Sequence, residues 1–176
     1  VTVGESARKH ITEKITVPGG KRVKEKLMPS DEKQQSVATL QKVMAVNGER
    51  RLDITSKVNK DGILDWKAPK GGEWTVYALF TGRTFQKVKR AAPGGEGYVM
   101  NHYDSVAVKK YLDRFDGAFK GREDIMPNSF FNDSYEVYGS DWTEGLLDRF
   151  EADHGYRLEQ YLPEFEGEGG HTELRA

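Results

Sequence analysis

Turn signals cut the first half of this chain into pieces too short for anything but strands. From Thr12 to Phe80, short runs rich in Val, Ile, Thr and aromatic residues are separated by Pro18-Gly19-Gly20, Asn47-Gly48, Lys60-Asp61-Gly62 and Pro69-Lys70-Gly71-Gly72. The best strands are Val37 to Val46 and Trp74 to Phe80. The second is apolar on both faces, with Trp74, Val76, Ala78 and Phe80 on one and Thr75, Tyr77 and Leu79 on the other. Such a run predicts a buried strand. The first suits an edge or sandwich strand.

After Lys89 the turn signals thin out and helical spacing appears. Asp104 is a natural N-cap for Ala107, Val108, Tyr111, Leu112, Phe115, Ala118 and Phe119, an amphipathic helix ending near Gly121. Asp141 or Thr143 is placed to cap a second helix that carries Leu146, Leu147 and Phe150 and stops at Gly155. Glu164 to Ala176, rich in Glu and Gly, reads as a loose tail. The 176 residues, 36% of them apolar, suffice for one domain or two small ones. Twenty-seven basic and 28 acidic residues, with no basic half, argue against a nucleic-acid partner. The absence of cysteine excludes thiolate chemistry and disulfides. No run is apolar enough to predict a membrane span. Val1 to His10 lacks both an apolar targeting core and a starting Met, and the ends suggest an excised or processed piece.

The densest chemistry lies in Phe130 to Trp142, where Asp133, Glu136 and Asp141 stand among five aromatic rings just after an expected strand. Loops leaving the carboxyl ends of strands line the sites of alternating β/α folds. Aromatic rings stack on the apolar faces of pyranoses while carboxylates hold hydroxyls. A carboxylic acid that protonates a leaving oxygen needs surroundings that disfavour its charged form, and water-excluding rings provide them. Glu136 suits that role. The same residues admit a plainer reading: Asp133 capping a turn, Glu136 on a solvated face, and the rings in a core. Upstream, Gly94, Gly95 and Gly97 precede a short strand instead of following one, so the stretch is not a phosphate loop. Asn101 and His102 then stand at a strand end, placed either to bond a ligand or to cap the helix. His10, His154 and His171 have no metal-ligand spacing. Asp133, Glu136 and Asp141 are oxygen donors suited to calcium but lack a regular binding loop. Arg83, Lys87, Lys89 and Arg90 form a basic run, either a solvated loop or a clamp for an acidic substrate.

Three stretches carry a resemblance: Gly72-Glu73-Trp74-Thr75-Val76-Tyr77, then Ala92 to Gly97 leading to Asn101-His102, and above all Phe131-Asn132-Asp133-Ser134-Tyr135-Glu136 with Gly139-Ser140-Asp141-Trp142-Thr143. In order and context they resemble glycoside hydrolase family 106, over about residues 72–165. The resemblance implies a bacterial, secreted or periplasmic α-L-rhamnosidase built on a TIM-type barrel, with an inverting mechanism and, in some members, calcium near the sugar. It makes Glu136 the general acid and Asp133 a second active-site carboxylate, with Asn101, His102, Asn132, Tyr135 and Trp142 as sugar contacts. It also implies an oligosaccharide substrate. A complete barrel takes about 250 residues, so the expectation is an α/β excerpt that needs the remainder of a parent enzyme. Residues 1–72 would form an inserted or adjacent β-rich, sandwich-like region, 73–165 βα units of a partial (β/α)₈ barrel, and 166–176 a flexible tail. The general base would lie outside the chain, which alone would be inactive. The alternative is a non-catalytic carbohydrate-binding module that stacks sugars on Trp74, Tyr135, Tyr138 and Trp142.

Overall fold

The computed structural model describes residues 6–129, 131 and 136–168. The chain forms two units, each built from separate stretches: His10–Gly82 with Gly145–Ala176, and Val1–Lys9 with Arg83–Glu144.

The strands of the first half are β1 (Arg8–Pro18), β2 (Arg22–Lys26), β3 (Thr39–Asn47), β4 (Arg50–Asp53), β5 (Ile63–Lys67) and β6 (Glu73–Arg83). They form a four-stranded sheet in the order β1-β6-β3-β4 and a two-stranded ribbon of β2 and β5. The β2–β5, β3–β4 and β3–β6 pairs are antiparallel. No βα unit of a parallel barrel is found among the described residues, which corrects that part of the expected fold; the β-rich half is as anticipated. Strand β6 is covered on both faces, as its apolar pattern requires, yet its neighbour β3 runs antiparallel to it. Double coverage is a statement about layers, and it leaves strand direction open.

The register shows how the layers form. Val43 faces Ala78 and Ala45 faces Val76, and all four join one core with Trp74, Phe80, Leu64, Trp66 and Val17. Met44 and Tyr77, paired one step along, fall on the other face by strand alternation. The Trp66 and Trp74 rings meet edge to face with centroids 5.8 Å apart, and Trp74 Nε1 donates to the Pro69 carbonyl at 3.1 Å. Gly19 is required by close approach. Its N–H donates to Gly72 O at 2.8 Å, and a Cβ at Gly19 would stand 2.6 Å from that oxygen.

The helices are α1 (Glu32–Gln35), α2 (Ser105–Phe119), α3 (Leu146–His154) and α4 (Leu162–Phe165), with a 3₁₀ turn at Leu158–Tyr161 before the last. Helix α2 starts as its sequence dictates, the Asp104 carboxylate accepting from the N–H groups of Val106 and Ala107 at 2.8 and 3.3 Å. Asp104→Ala is therefore expected to cost about 1 kcal/mol, with faster amide exchange at Val106 and Ala107 as the check. Its apolar face is less covered than amphipathic spacing implies: Ala107 is buried, whereas Tyr111, Leu112 and Phe115 are exposed. Helix α3 stops at left-handed Gly155 as expected, but its N-cap is Gly145 and neither Asp141 nor Thr143. Those two residues are engaged elsewhere.

Glu164 to Glu168 do not form the loose end that their composition suggests. Glu164 lies within α4, 6% exposed, and Arg51 on β4 grips it through both guanidinium ends. Glu166 accepts from Thr12 Oγ1 at 2.6 Å, and Glu168 accepts from Tyr77 Oη at 2.7 Å and pairs with Lys14. Glu159, 3% exposed, meets Arg157 at 3.0 Å and Lys42 at 3.5 Å. This row of acids is fastened to basic and hydroxyl groups on β1, β3, β4 and β6. Residues 169–176 of the expected tail lie outside the described residues.

Candidate functional site

The unit formed by residues 6–9 and 83–144 contains the carboxylate-rich segment. Three backbone stretches support it. Residues 84–88 and 97–99 form an antiparallel ladder through the Lys87–Tyr98 bridge, with Val99 N–H donating to Gln86 O at 2.9 Å and Val88 N–H to Gly97 O at 2.9 Å. Ala7 N–H donates to Val99 O at 2.8 Å, and Ser6 bridges Met100. On its other flank Arg8 bridges Trp142 and accepts from the Asp141 N–H at 3.2 Å.

The segment 136–143 is then fixed at three places along its length. Near its start, the Gln86 side chain donates through Nε2 to Glu136 O at 2.6 Å and accepts the Tyr138 N–H at Oε1 at 2.7 Å. One amide thus pairs with the backbone on both sides of Val137 as a neighbouring strand would. In the middle stands the Arg8 pairing. At its end, Asn101 Nδ2 donates to Thr143 Oγ1 at 3.2 Å. Phe85, beside Gln86, has φ of 54°, a left-handed conformation that costs a bulky residue about 1–3 kcal/mol. Its ring meets Tyr98 with centroids 6.2 Å apart.

The site residues expected from sequence separate into distinct environments. Glu136 is described and exposed. Of the rings expected around it, Phe131 is 91% exposed and Tyr138 58%. Asn101 is buried at 1% exposure, and both ends of its amide are used within the chain, Nδ2 on Thr143 and Oδ1 on the Tyr103 N–H at 3.1 Å. Its geometry is that of a brace between the 97–101 stretch and the carboxylate segment. Trp142 is 2% exposed, so its ring presents no open face for a sugar, and Trp74 is fully buried. Two of the four rings that a sugar-stacking module would use are therefore core residues. His102 is half-buried, and burial pushes its imidazolium below the ordinary histidine range, which favours a neutral ring. Asn132, Asp133 and Tyr135 lie outside the described residues.

No three Asp, Glu, His or Cys side chains come together to hold a metal among the described residues. Nor is any helix among the described residues long and apolar enough to cross a membrane. Sequence reasoning overlooked Gln86. A glutamine between Phe85 and Lys87 has no distinguishing spacing, and its partners stand 50 and 52 residues away.

Comparison with known proteins adds a common theme. Residues 23–172 match the family model described as alpha-L-rhamnosidase, glycoside hydrolase family 106. A Formosa agariphila protein named as a beta-glucuronidase is 33% identical over 150 residues, covering 83% of this chain and 12% of that protein. The structure of a rhamnosidase from Novosphingobium sp. PP1Y aligns with a TM-score of 0.55 and 30% identity, over 69% of this chain and 12% of that one. The chain thus spans about an eighth of the length of each of these relatives.

Proposed function

The chain belongs to glycoside hydrolase family 106, and from that premise we propose that it is a segment of a larger enzyme that hydrolyses terminal α-L-rhamnosyl linkages. The match over residues 23–172, which includes the run from Asn132 to Glu136, carries this reading. In it the Glu136 carboxylic acid donates its proton to the glycosidic oxygen as the bond from that oxygen to the anomeric carbon breaks and oxocarbenium character develops. Water attacks the opposite face of the anomeric carbon and gives its proton to a carboxylate base, so the sugar leaves with inverted configuration. That geometry requires the two carboxyl groups about 6.5–9.5 Å apart, with water between base and sugar. The base belongs to another part of the enzyme. Asp133 serves as a further active-site carboxylate, while His102, Asn132 and Tyr135 contact the sugar. Because Glu136 is exposed, the water-excluding cover that keeps a carboxylic acid protonated comes from outside the described residues. The enzyme is exported to the periplasm or beyond the cell, where rhamnose-bearing glycans are met.

A second sugar is suggested by the relative named as a beta-glucuronidase. Lys89 Nζ stands 5.5 Å from the centre of the Tyr138 ring, two residues from Glu136, and a cation there is suited to the carboxylate of a uronic acid. Rhamnose has a methyl group at the corresponding ring substituent. The deciding measurement is kcat/KM of the full-length enzyme on an aryl α-L-rhamnoside and on the matching aryl β-D-glucuronide. The rhamnoside is expected to be preferred by a wide margin, because a pocket shaped for a methyl group leaves a carboxylate unpaired and desolvated. Preference for the glucuronide, with loss of that preference in Lys89→Ala, would replace rhamnose by a uronic acid in the proposal.

A further inference from the structure

We infer that Gln86 is a positioning residue for the acid at Glu136, an inference that rests on the catalytic reading above. The Gln86 amide bonds Glu136 O at 2.6 Å and Tyr138 N–H at 2.7 Å, so it fixes the peptide from which the Glu136 side chain departs. Its own backbone is anchored, with Gln86 O accepting from Val99 N–H at 2.9 Å and its N–H donating to Thr84 Oγ1 at 3.3 Å. The amide is thus a rigid link from the 84–99 ladder to the carboxylate segment. The left-handed backbone at Phe85 immediately precedes it. Such conformations persist where the surrounding structure holds them in place, and they gather at functional sites. Glutamine is suited to the task because one planar group supplies a donor and an acceptor, matching the carbonyl of residue 136 and the N–H of residue 138. A proton donor must lie within hydrogen-bond reach of the leaving oxygen, so a small displacement of that peptide removes its effect.

The test uses the full-length enzyme with two rhamnosides, one with an alkyl alcohol as leaving group and one with dinitrophenol. The alcohol departs only with a proton, whereas dinitrophenolate departs without one. Gln86→Ala is expected to lower kcat on the alkyl rhamnoside on the order of 10²-fold, with a far smaller loss on the dinitrophenyl substrate and little change in KM. Gln86→Glu retains the acceptor for Tyr138 N–H but, when ionised, has no donor for Glu136 O. Its alkyl activity is expected to be low and to recover toward acid, as protonation of the new side chain restores the donor. In a Glu136→Gln background, Gln86→Ala is expected to cause no additional loss on the alkyl substrate. An equal loss on both rhamnosides, or an undiminished effect of Gln86→Ala in that background, would overturn the inference while leaving the acid in place. Full alkyl activity in Glu136→Gln alone would remove the acid assignment and the inference with it.

Discussion

Glu136→Gln in the full-length enzyme is expected to lower kcat on an alkyl rhamnoside by about 10²–10⁴-fold, with binding largely retained. Gln has nearly the shape of a carboxylic acid, so contacts to the sugar survive while the transferable proton is lost. The reaction most affected is the one whose leaving group is the strongest base. A dinitrophenyl rhamnoside should therefore be hydrolysed at close to the original rate, and aryl rhamnosides of intermediate acidity should fall in order between the two. The plot of log kcat against leaving-group pKa should be steep for the variant and shallow for the parent enzyme. A uniform loss across all leaving groups would contradict proton donation by Glu136 and point to a role in binding or folding. Unchanged activity on the alkyl substrate would exclude it from the chemistry.

The second large effect concerns stability and lies far from Glu136 in sequence. Arg51 donates through Nη1 to Glu164 Oε2 at 2.9 Å, through Nη2 to Oε1, and again through Nη1 to the Gln160 carbonyl. Its guanidinium also lies over the Tyr161 ring, 5.2 Å from the centroid. Glu164 is 6% exposed, so removing the guanidinium leaves a buried carboxylate without its main partner. Arg51→Ala is expected to cost about 3–5 kcal/mol, read as a lower urea midpoint. Arg51→Lys should recover only part of this, because one ammonium cannot pair both carboxylate oxygens in a fork. Arg51→Met combined with Glu164→Leu should recover most of it, since a buried ion pair contributes little beyond well-packed apolar side chains. A loss below about 1 kcal/mol for Arg51→Ala, the range of an exposed pair, would show that the attachment of α4 does not depend on this contact.

Protonation acts on the same attachment. Hydrogen bonds from Lys14 and from the Tyr77 hydroxyl hold the Glu168 carboxyl below its ordinary value of 4.5. A carboxyl depressed in the folded state adds stability above its unfolded value, and that contribution is lost as pH falls through the folded value. The urea midpoint should thus decline toward acid in the parent and less steeply in Glu168→Gln. Solvent screening keeps this contribution small, because the Glu168 side chain is about half exposed.

Parts of the molecule set by neighbours a few residues apart were legible in the sequence. Asp104 and the following turn of α2 form one local hydrogen-bonded cap, so the helix start could be read from the residues themselves. Gly155 stops α3 for an equally local reason, since its left-handed backbone favours glycine. The burial of β6 followed from its continuous apolar run, and the motifs around Phe131 to Thr143 were enough to indicate the family. Only the tertiary structure decided that β6 lies between β1 and β3 in a sheet with antiparallel pairs, because hydrophobicity records coverage and carries no strand direction. The acids of residues 164–168 looked like part of a loose tail, since their partners Lys14, Arg51 and Tyr77 come from strands some 90 to 150 residues earlier. Asn101 and Gln86 present the same case. A polar side chain that braces a distant backbone has no period and no local partner, so chain folding must bring the two together before its role exists.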